Sequence, residues 1–119
     1  MAIKKRIEPP VNLRVNKNND VLLTITIGNA QVGGSVVRYK GASEPIGKGE
    51  IKNLNLGNGG VINGKILKIT TNVVDVNEFT NGMVIAFFFH NATPVTFFYS
   101  DGVNNDGDIF SLQTEFNLI

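Results

Sequence analysis

Potential metal ligands are densest between Tyr99 and Phe110, a segment that reads YSDGVNNDGDIF. Carboxylate and amide oxygens are the side-chain ligands that calcium prefers in proteins. Four side chains within this segment could supply them: Asp101, Asn104, Asp106 and Asp108. The chemistry that these residue types suggest is therefore calcium binding, in a loop between two strands.

The spacing of these residues does not fit the calcium loop of an EF-hand. If Gly107 takes the obligatory sixth position of that loop, Gly102 and Gln113 fall where Asp and Glu are needed. Asparagine and glycine also suit the left-handed conformations of tight turns. We therefore predict a turn, with irregular calcium binding as the weaker alternative and no other cofactor.

Few residues in the chain could support enzymatic chemistry. His90 is the only histidine, and there is no cysteine. This composition excludes disulfides, thiolate metal sites and a cysteine nucleophile, and a transition-metal site would need more imidazole. No nucleophile elbow surrounds any serine. We predict a protein that is not an enzyme.

The segment GGVINGKI, residues 59–66, matches seven of the eight positions of a phosphate-binding P-loop. Ile66 takes the eighth position, where a hydroxyl must bind magnesium. A strand pattern follows, so no helix N-terminus is available to hold a phosphate. We predict that the protein binds no nucleotide.

Seven of the ten aromatic residues lie between Phe79 and Tyr99, in two strand patterns, AFFFH and VTFFYS. An odd-length loop gives the clearest burial pattern, with Phe87 and Phe97 on the inner face. Phe88 and Phe98 then form a pair on the half-polar outer face, near His90. We expect the N-terminal arm or a long loop to cover this pair. The alternative is an aromatic contact surface for a partner or a sugar, which makes these three residues binding candidates.

Apolar and polar residues alternate with a period of two throughout the chain, which predicts that these candidates lie on or between β-strands. The last segment, for example, should bury Phe110, Leu112, Thr114, Phe116 and Leu118. Asn-Gly, Asp-Gly and Gly-Gly pairs, including Gly33-Gly34, indicate turns. We predict an all-β, antiparallel two-layer β-sandwich of about eight strands, immunoglobulin-like or jelly-roll-like. A phase change near residues 71–74 predicts a β-bulge.

The N-terminus predicts an extended arm over residues 1–10, followed by one sandwich domain over residues 11–119. Pro9 and Pro10 forbid a helix there. Lys4, Lys5 and Arg6 make the arm a candidate binding element. Because free arms usually fray, we expect either the sheet of the same chain or a neighbouring molecule to hold this one.

Charge is distributed unevenly along the chain. Residues 1–68 contain eleven basic and four acidic residues, a net charge of +7, whereas residues 69–119 contain six acidic residues and no Lys or Arg. The aromatic residues lie mainly in the acidic half, so nucleic acid is an improbable partner. Either the opposite charges are neighbours within each sheet, or the molecule has a basic and an acidic end suited to head-to-tail contact.

The sequence therefore predicts a non-enzymatic interaction protein whose partner is itself or another protein subunit. The favoured role is a structural subunit of a phage or virus particle or of a bacterial secretion or injection machine. No apolar segment follows the basic N-terminus, so we predict no signal peptide, no membrane span, and a location in the cytoplasm or in the assembly. The alternative is a lectin-like or calcium-assisted module that binds carbohydrate through the aromatic hairpin and the Asp101–Asp108 loop.

Overall fold

Two packed β-sheets, of seven and four strands, form the protein, and the computed structural model describes all residues from 1 to 119. The predicted all-β sandwich is confirmed, although its strands number eleven and one four-residue helix is present. No helix has the length and apolarity needed to cross a membrane. The elements, in chain order, are β1 (Ile3–Ile7), β2 (Val11–Val15), β3 (Asp20–Ile27), β4 (Val32–Tyr39), β5 (Gly47–Gly49), β6 (Leu54–Asn58), α1 (Gly59–Ile62), β7 (Ile66–Val74), β8 (Gly82–His90), β9 (Ala92–Thr93), β10 (Thr96–Gly102) and β11 (Ile109–Leu118).

The larger sheet has the order β5-β4-β7-β11-β2-β9, with β1 also beside β11. The first two strands follow β11 one after the other, and both run parallel to it. Pro9 and Pro10 separate them, because proline has no N–H to donate to the ladder. All other strand pairs are antiparallel. The segment predicted as an arm is thus extended, and its own sheet holds it.

The smaller sheet has the order β10-β8-β3-β6. Phe97 of β10 lies opposite Phe87 of β8, and Tyr99 lies opposite Ile85. This register confirms the odd-length loop that the burial pattern favours. The two strands at the ends of this order, β10 and β6, each have one neighbour, so each leaves one edge of the sheet unpaired.

Apolar side chains from both sheets meet in a single core of 21 buried residues. Phe116 lies at its centre, with its ring centroid 4.9 Å from that of Phe89, 5.0 Å from that of Phe97 and 5.9 Å from that of Phe87. These edge-to-face contacts join β11 to the hairpin of β8 and β10. The inner face predicted for the last strand is confirmed, since each of its five members is at most 2% exposed.

Two local predictions are wrong because contacts distant in sequence override them. The predicted bulge near Thr71 is not found, since β7 pairs without interruption along β11. Thr71 keeps its inward position because its hydroxyl forms a buried 2.8 Å hydrogen bond with Ser35. Gly33-Gly34 lies inside β4 rather than in a turn. A Cβ atom on Gly33 would come within 2.1 Å of the Asn72 carbonyl oxygen, so this close approach of two strands requires glycine.

Candidate interaction surface

The unpaired edge of β10 is the first component of the candidate surface. The N–H of Phe89 in β8 donates to the carbonyl oxygen of Val95 at 2.7 Å, just before β10 begins. In an antiparallel pair, the N–H and C=O of alternate residues point to the same side of the strand. The backbone groups of odd-numbered residues in β10 therefore face β8. Those of Thr96, Phe98, Ser100 and Gly102 point away from the sheet.

Two basic residues of β1 cover one end of this edge. Lys4 Nζ donates to the carbonyl oxygen of Gly102 at 3.0 Å, and Arg6 Nη1 donates to that of Ser100 at 3.1 Å. Asp101 joins them, at 2.6 Å from Lys4 and 3.1 Å from Arg6. We call these three charged residues the edge clamp. Inward-pointing charges of this kind are a usual protection for strand edges.

The edge clamp also joins the two sheets. Lys4 and Arg6 lie beside Phe110 and Leu112 of β11, whose side chains face the core. Partners that share a register position in a sheet point to the same face. The two basic side chains therefore extend from the larger sheet across the open side of the sandwich to the smaller sheet.

The electrostatic surroundings of Asp101 keep its carboxyl ionised. Desolvation by burial raises its pKa, but hydrogen bonds from Lys4, the Gly102 N–H and Arg6 lower it more, so the pKa lies below its ordinary value. The same contacts occupy both carboxylate oxygens. Asp101 is therefore engaged by the protein itself.

Of the other three candidate calcium ligands, Asp108 also has its carboxylate oxygens engaged by the protein. Asp108 is only 6% exposed and accepts hydrogen bonds from the N–H groups of Ala2 and Asn105, at 2.9 and 3.1 Å. The bond from Ala2 is the largest cause of its lowered pKa. Asp106 and Asn104 are exposed. No group of three or more His, Cys, Asp or Glu side chains in the structure is suited to a metal ion.

The aromatic surface, which we define as Phe88, Val95 and Phe98, is the second component. Phe98 is 68% exposed and Val95 is 56% exposed, while Phe88 is half-buried. The rings of Phe88 and Phe98 meet edge to face with centroids 6.3 Å apart. The expectation that the arm or a loop covers this pair is wrong for Phe98, because β1 lies on β11 and reaches only the far end of β10.

A recess of about 440 Å³ opens beside the aromatic surface on the outer face of the smaller sheet. It brings Phe88 and His90 together with polar side chains from two other segments. Its lining residues are Leu22, Thr24, Asn53, Phe88, His90 and Val95.

The Asp101–Asp108 loop does not share this recess. His90 lies at one end of the hairpin, whereas Asp101 pairs with Met83 at the other end. Strand geometry puts about 20 Å between the two ends. His90 and the acidic loop therefore do not line one common site, and calcium-assisted binding stays a prediction.

The remaining basic candidate, Lys5, faces away from the clamp and forms no ion pair. Three ion pairs join the basic half of the sequence to the acidic half: Lys4 and Arg6 with Asp101, and Lys68 with Glu115 at 3.9 Å. Lys68 and Glu115 are neighbours within one sheet, as the first of the two arrangements has it. Lys4 and Asp101 belong to different sheets, so this pair follows neither arrangement.

Sequence reasoning missed the open edge of β10 and its clamp. One signal could have pointed to the edge: between Glu78 and Asp101 the chain carries no Asp, Glu, Lys or Arg. A long uncharged hairpin is unusual for a strand edge exposed to solvent. The clamp had no such signal, since its partners are separated by 95 and 97 residues.

In comparisons with protein-family models, curated proteins and solved structures, no match to this chain was found.

Proposed function

We propose that the protein is a non-enzymatic interaction protein, a structural subunit that contacts another protein chain through the aromatic surface. The observation that carries this proposal is the 68% exposure of Phe98 beside Val95 and Phe88, at an unpaired strand edge. Protein contacts are enriched in phenylalanine and depleted in charge at their centres. Both properties hold for this hairpin, since its aromatic surface lies in a segment without Asp, Glu, Lys or Arg.

The biological setting that we propose is a cytoplasmic or particle-bound assembly, such as a phage or virus particle or a bacterial secretion or injection machine. A chain without cysteine suits a reducing compartment. A small sandwich with an exposed aromatic surface at the β10 edge suits an assembly in which it packs repeatedly against other subunits. The partner is a second copy of the chain or a different subunit.

Phe98→Ser tests the proposal, and Val61→Ser is its matched control. Val61 is 71% exposed on α1, which follows the strand at the opposite edge of the same sheet. Both substitutions remove one exposed apolar side chain, so their effects on solubility should be similar. Sedimentation equilibrium would measure self-association of the three proteins. Affinity capture from an extract of the native source would compare the same three as baits.

The proposal is supported if the chain associates with itself or with a recovered protein. Phe98→Ser must then weaken that association at least tenfold, and Val61→Ser must leave its affinity within a factor of two. The proposal fails if the unmodified chain neither self-associates nor retains any protein whose recovery depends on Phe98. It also fails if both serine variants reduce association equally, because exposed apolar area in general would then be responsible.

Carbohydrate binding is a second candidate function, favoured by the recess beside Phe88. An apolar ring next to the hydroxyl of Thr24, the amide of Asn53 and the imidazole of His90 offers both stacking and hydrogen bonding to a sugar. Chemical-shift changes on titration with a panel of mono- and disaccharides would test it. Shifts confined to the recess that disappear in Phe88→Ala would support binding, and a panel without shifts would reject it.

A further inference from the structure

We propose that the partner at this surface is a second copy of the chain. Its β10 pairs antiparallel with β10 of the first, about a two-fold axis that passes between the two copies of Phe97. The two four-stranded sheets would then continue as one sheet of eight strands. This inference rests on the proposed function and deepens it, because it names the partner, the atoms in contact and the register.

The backbone of β10 specifies an extended strand as the occupant. Thr96 and Phe98 each point one N–H and one C=O away from the sheet, and the edge clamp does not reach them. When Thr96 lies opposite the second copy's Phe98, these two residues exchange two backbone hydrogen bonds. Two-fold symmetry repeats the pair, so four backbone hydrogen bonds form without rearrangement of either monomer.

The clamp and a proline select this register over its neighbours. If Phe98 lay opposite the second copy's Phe98, Thr96 would have to pair with Ser100, whose carbonyl oxygen already accepts from Arg6. If instead Thr96 lay opposite the second copy's Thr96, Phe98 would face Pro94, which has no N–H to donate. The axis through Phe97 keeps both clamps intact and uses only available donors and acceptors.

Side chains and charge also favour a second copy. In the proposed register, each Phe98 packs against the second copy's Thr96, and the two Phe98 rings are diagonal neighbours within reach of each other. Like charges placed opposite each other destabilise strand pairs. From Phe79 to Ser100 the chain carries no Asp, Glu, Lys or Arg, so two copies can approach along this edge without such repulsion.

Thr96→Pro is the decisive variant and Thr96→Val is its control. Proline removes the outward N–H of Thr96, which the monomer does not use, and is tolerated at strand edges for that reason. Valine keeps the N–H and suits a strand. Sedimentation equilibrium should show a dimer for the unmodified chain. We expect the dissociation constant to rise at least tenfold for Thr96→Pro and to stay within threefold for Thr96→Val, with the melting temperature of each monomer little changed.

Disulfide trapping provides a second measurement that does not depend on the proline variant folding. The chain has no cysteine of its own. Cα atoms of a hydrogen-bonded antiparallel pair are about 5.5 Å apart, within the range of a disulfide. Because Phe98→Cys also removes the ring that favours association, the chains are mixed at a concentration at least tenfold above the dissociation constant of the unmodified chain. Chains with Thr96→Cys mixed with chains with Phe98→Cys should then form a mixed disulfide faster than either alone. Mixtures of Thr96→Cys with Val61→Cys are the control and should not.

The inference is overturned if Thr96→Pro associates as tightly as the unmodified chain, if the mixed disulfide forms no faster than in the control, or if the unmodified chain is a strict monomer. These failures differ from that of the proposed function. An association that survives Thr96→Pro but not Phe98→Ser would retain the aromatic surface and reject edge pairing. A monomer that still recovers a Phe98-dependent protein would retain the subunit role and reject the second copy as partner.

Discussion

At the scale of single residues, Asp101 is the acid that forms ion pairs with two basic side chains, Lys4 and Arg6. Its side chain is 17% exposed and contacts two cations from a strand of the other sheet. Isolated surface ion pairs contribute little to stability, but a network with a half-buried Arg contributes more. Because the clamp closes one side of the sandwich, its main effect is to hold β1 and the end of β10 together.

Asp101→Asn should lower the free energy of unfolding by about 1 kcal/mol at pH 7. The pKa of Asp101 in the folded state is below its ordinary value of 3.8, so its contribution is fully present above that value and is lost as pH falls through the lower, folded pKa. The difference between the two proteins should therefore be constant above pH 5 and shrink below pH 4.

Urea unfolding at a series of pH values would measure this difference. Asp106→Asn is the control, since Asp106 is exposed and forms no ion pair. A difference between Asp101→Asn and the unmodified chain that persists unchanged at pH 2 would show that the carboxylate charge is not what the clamp uses.

At the scale of elements, the inner faces of the strands could be predicted and their partners could not. Alternation is a local property, so Phe110, Leu112 and Phe116 are recognisable from sequence. The position of β1 beside β11 depends on residues more than a hundred positions away. The polar residue Thr71 broke the local pattern and suggested a bulge, because its hydrogen-bonding partner Ser35 lies on another strand.

Contacts between residues far apart in the sequence also explain why the candidate site was only partly predicted. The outward position of Phe88 and Phe98 follows from alternation and the register of one hairpin. The acidic loop looked like a possible calcium site because its sequence does not reveal that Lys4 and Arg6 bind Asp101, or that the Ala2 N–H binds Asp108. Unpaired edges are a property of sheet order, and the uncharged stretch from Phe79 to Ser100 is the single local feature that relates to this one.

Thr71→Val should destabilise the pairing of β4 with β7, although it replaces a polar core residue with an apolar one of similar shape. The substitution leaves the hydroxyl of Ser35, which is 4% exposed, without its partner. An unsatisfied buried hydroxyl costs about 1–3 kcal/mol. Chemical denaturation should show a loss of about 1–2 kcal/mol on this basis.

The double variant Ser35→Ala with Thr71→Val separates the hydrogen bond from packing. Because both polar groups are then absent, its stability should recover part of the loss seen for Thr71→Val alone. A double variant that loses the sum of the two single effects would show that the hydroxyl pair contributes nothing beyond its separate contacts.

At the scale of the whole molecule, ion pairs join the halves of opposite charge at two places in the fold. The sequence alone allowed a head-to-tail attraction between a basic and an acidic end. In the fold, Lys4 and Arg6 from the basic half contact Asp101 from the acidic half within the same molecule. Lys4, Arg6 and Lys68, which are paired in this way, have little charge left to offer a partner. The uncharged aromatic surface is the source of association that we propose.

Association of the chain should therefore depend little on salt. Attraction between exposed charges is screened beyond about 10 Å at 0.1 M ionic strength, whereas burial of apolar surface is not weakened by sodium chloride. We expect the dissociation constant to change by less than about threefold between 0.05 and 0.5 M sodium chloride, well short of the tenfold steps that loss of several ion pairs would produce.

Sedimentation equilibrium across this range of salt measures the dissociation constant. Lys5→Gln is the control, since Lys5 is the exposed basic residue of β1 that forms no ion pair. A steep loss of association with salt, accompanied by the same loss in Lys5→Gln at low salt, would assign the contact to the charges of β1 instead of to Phe98 and its neighbours.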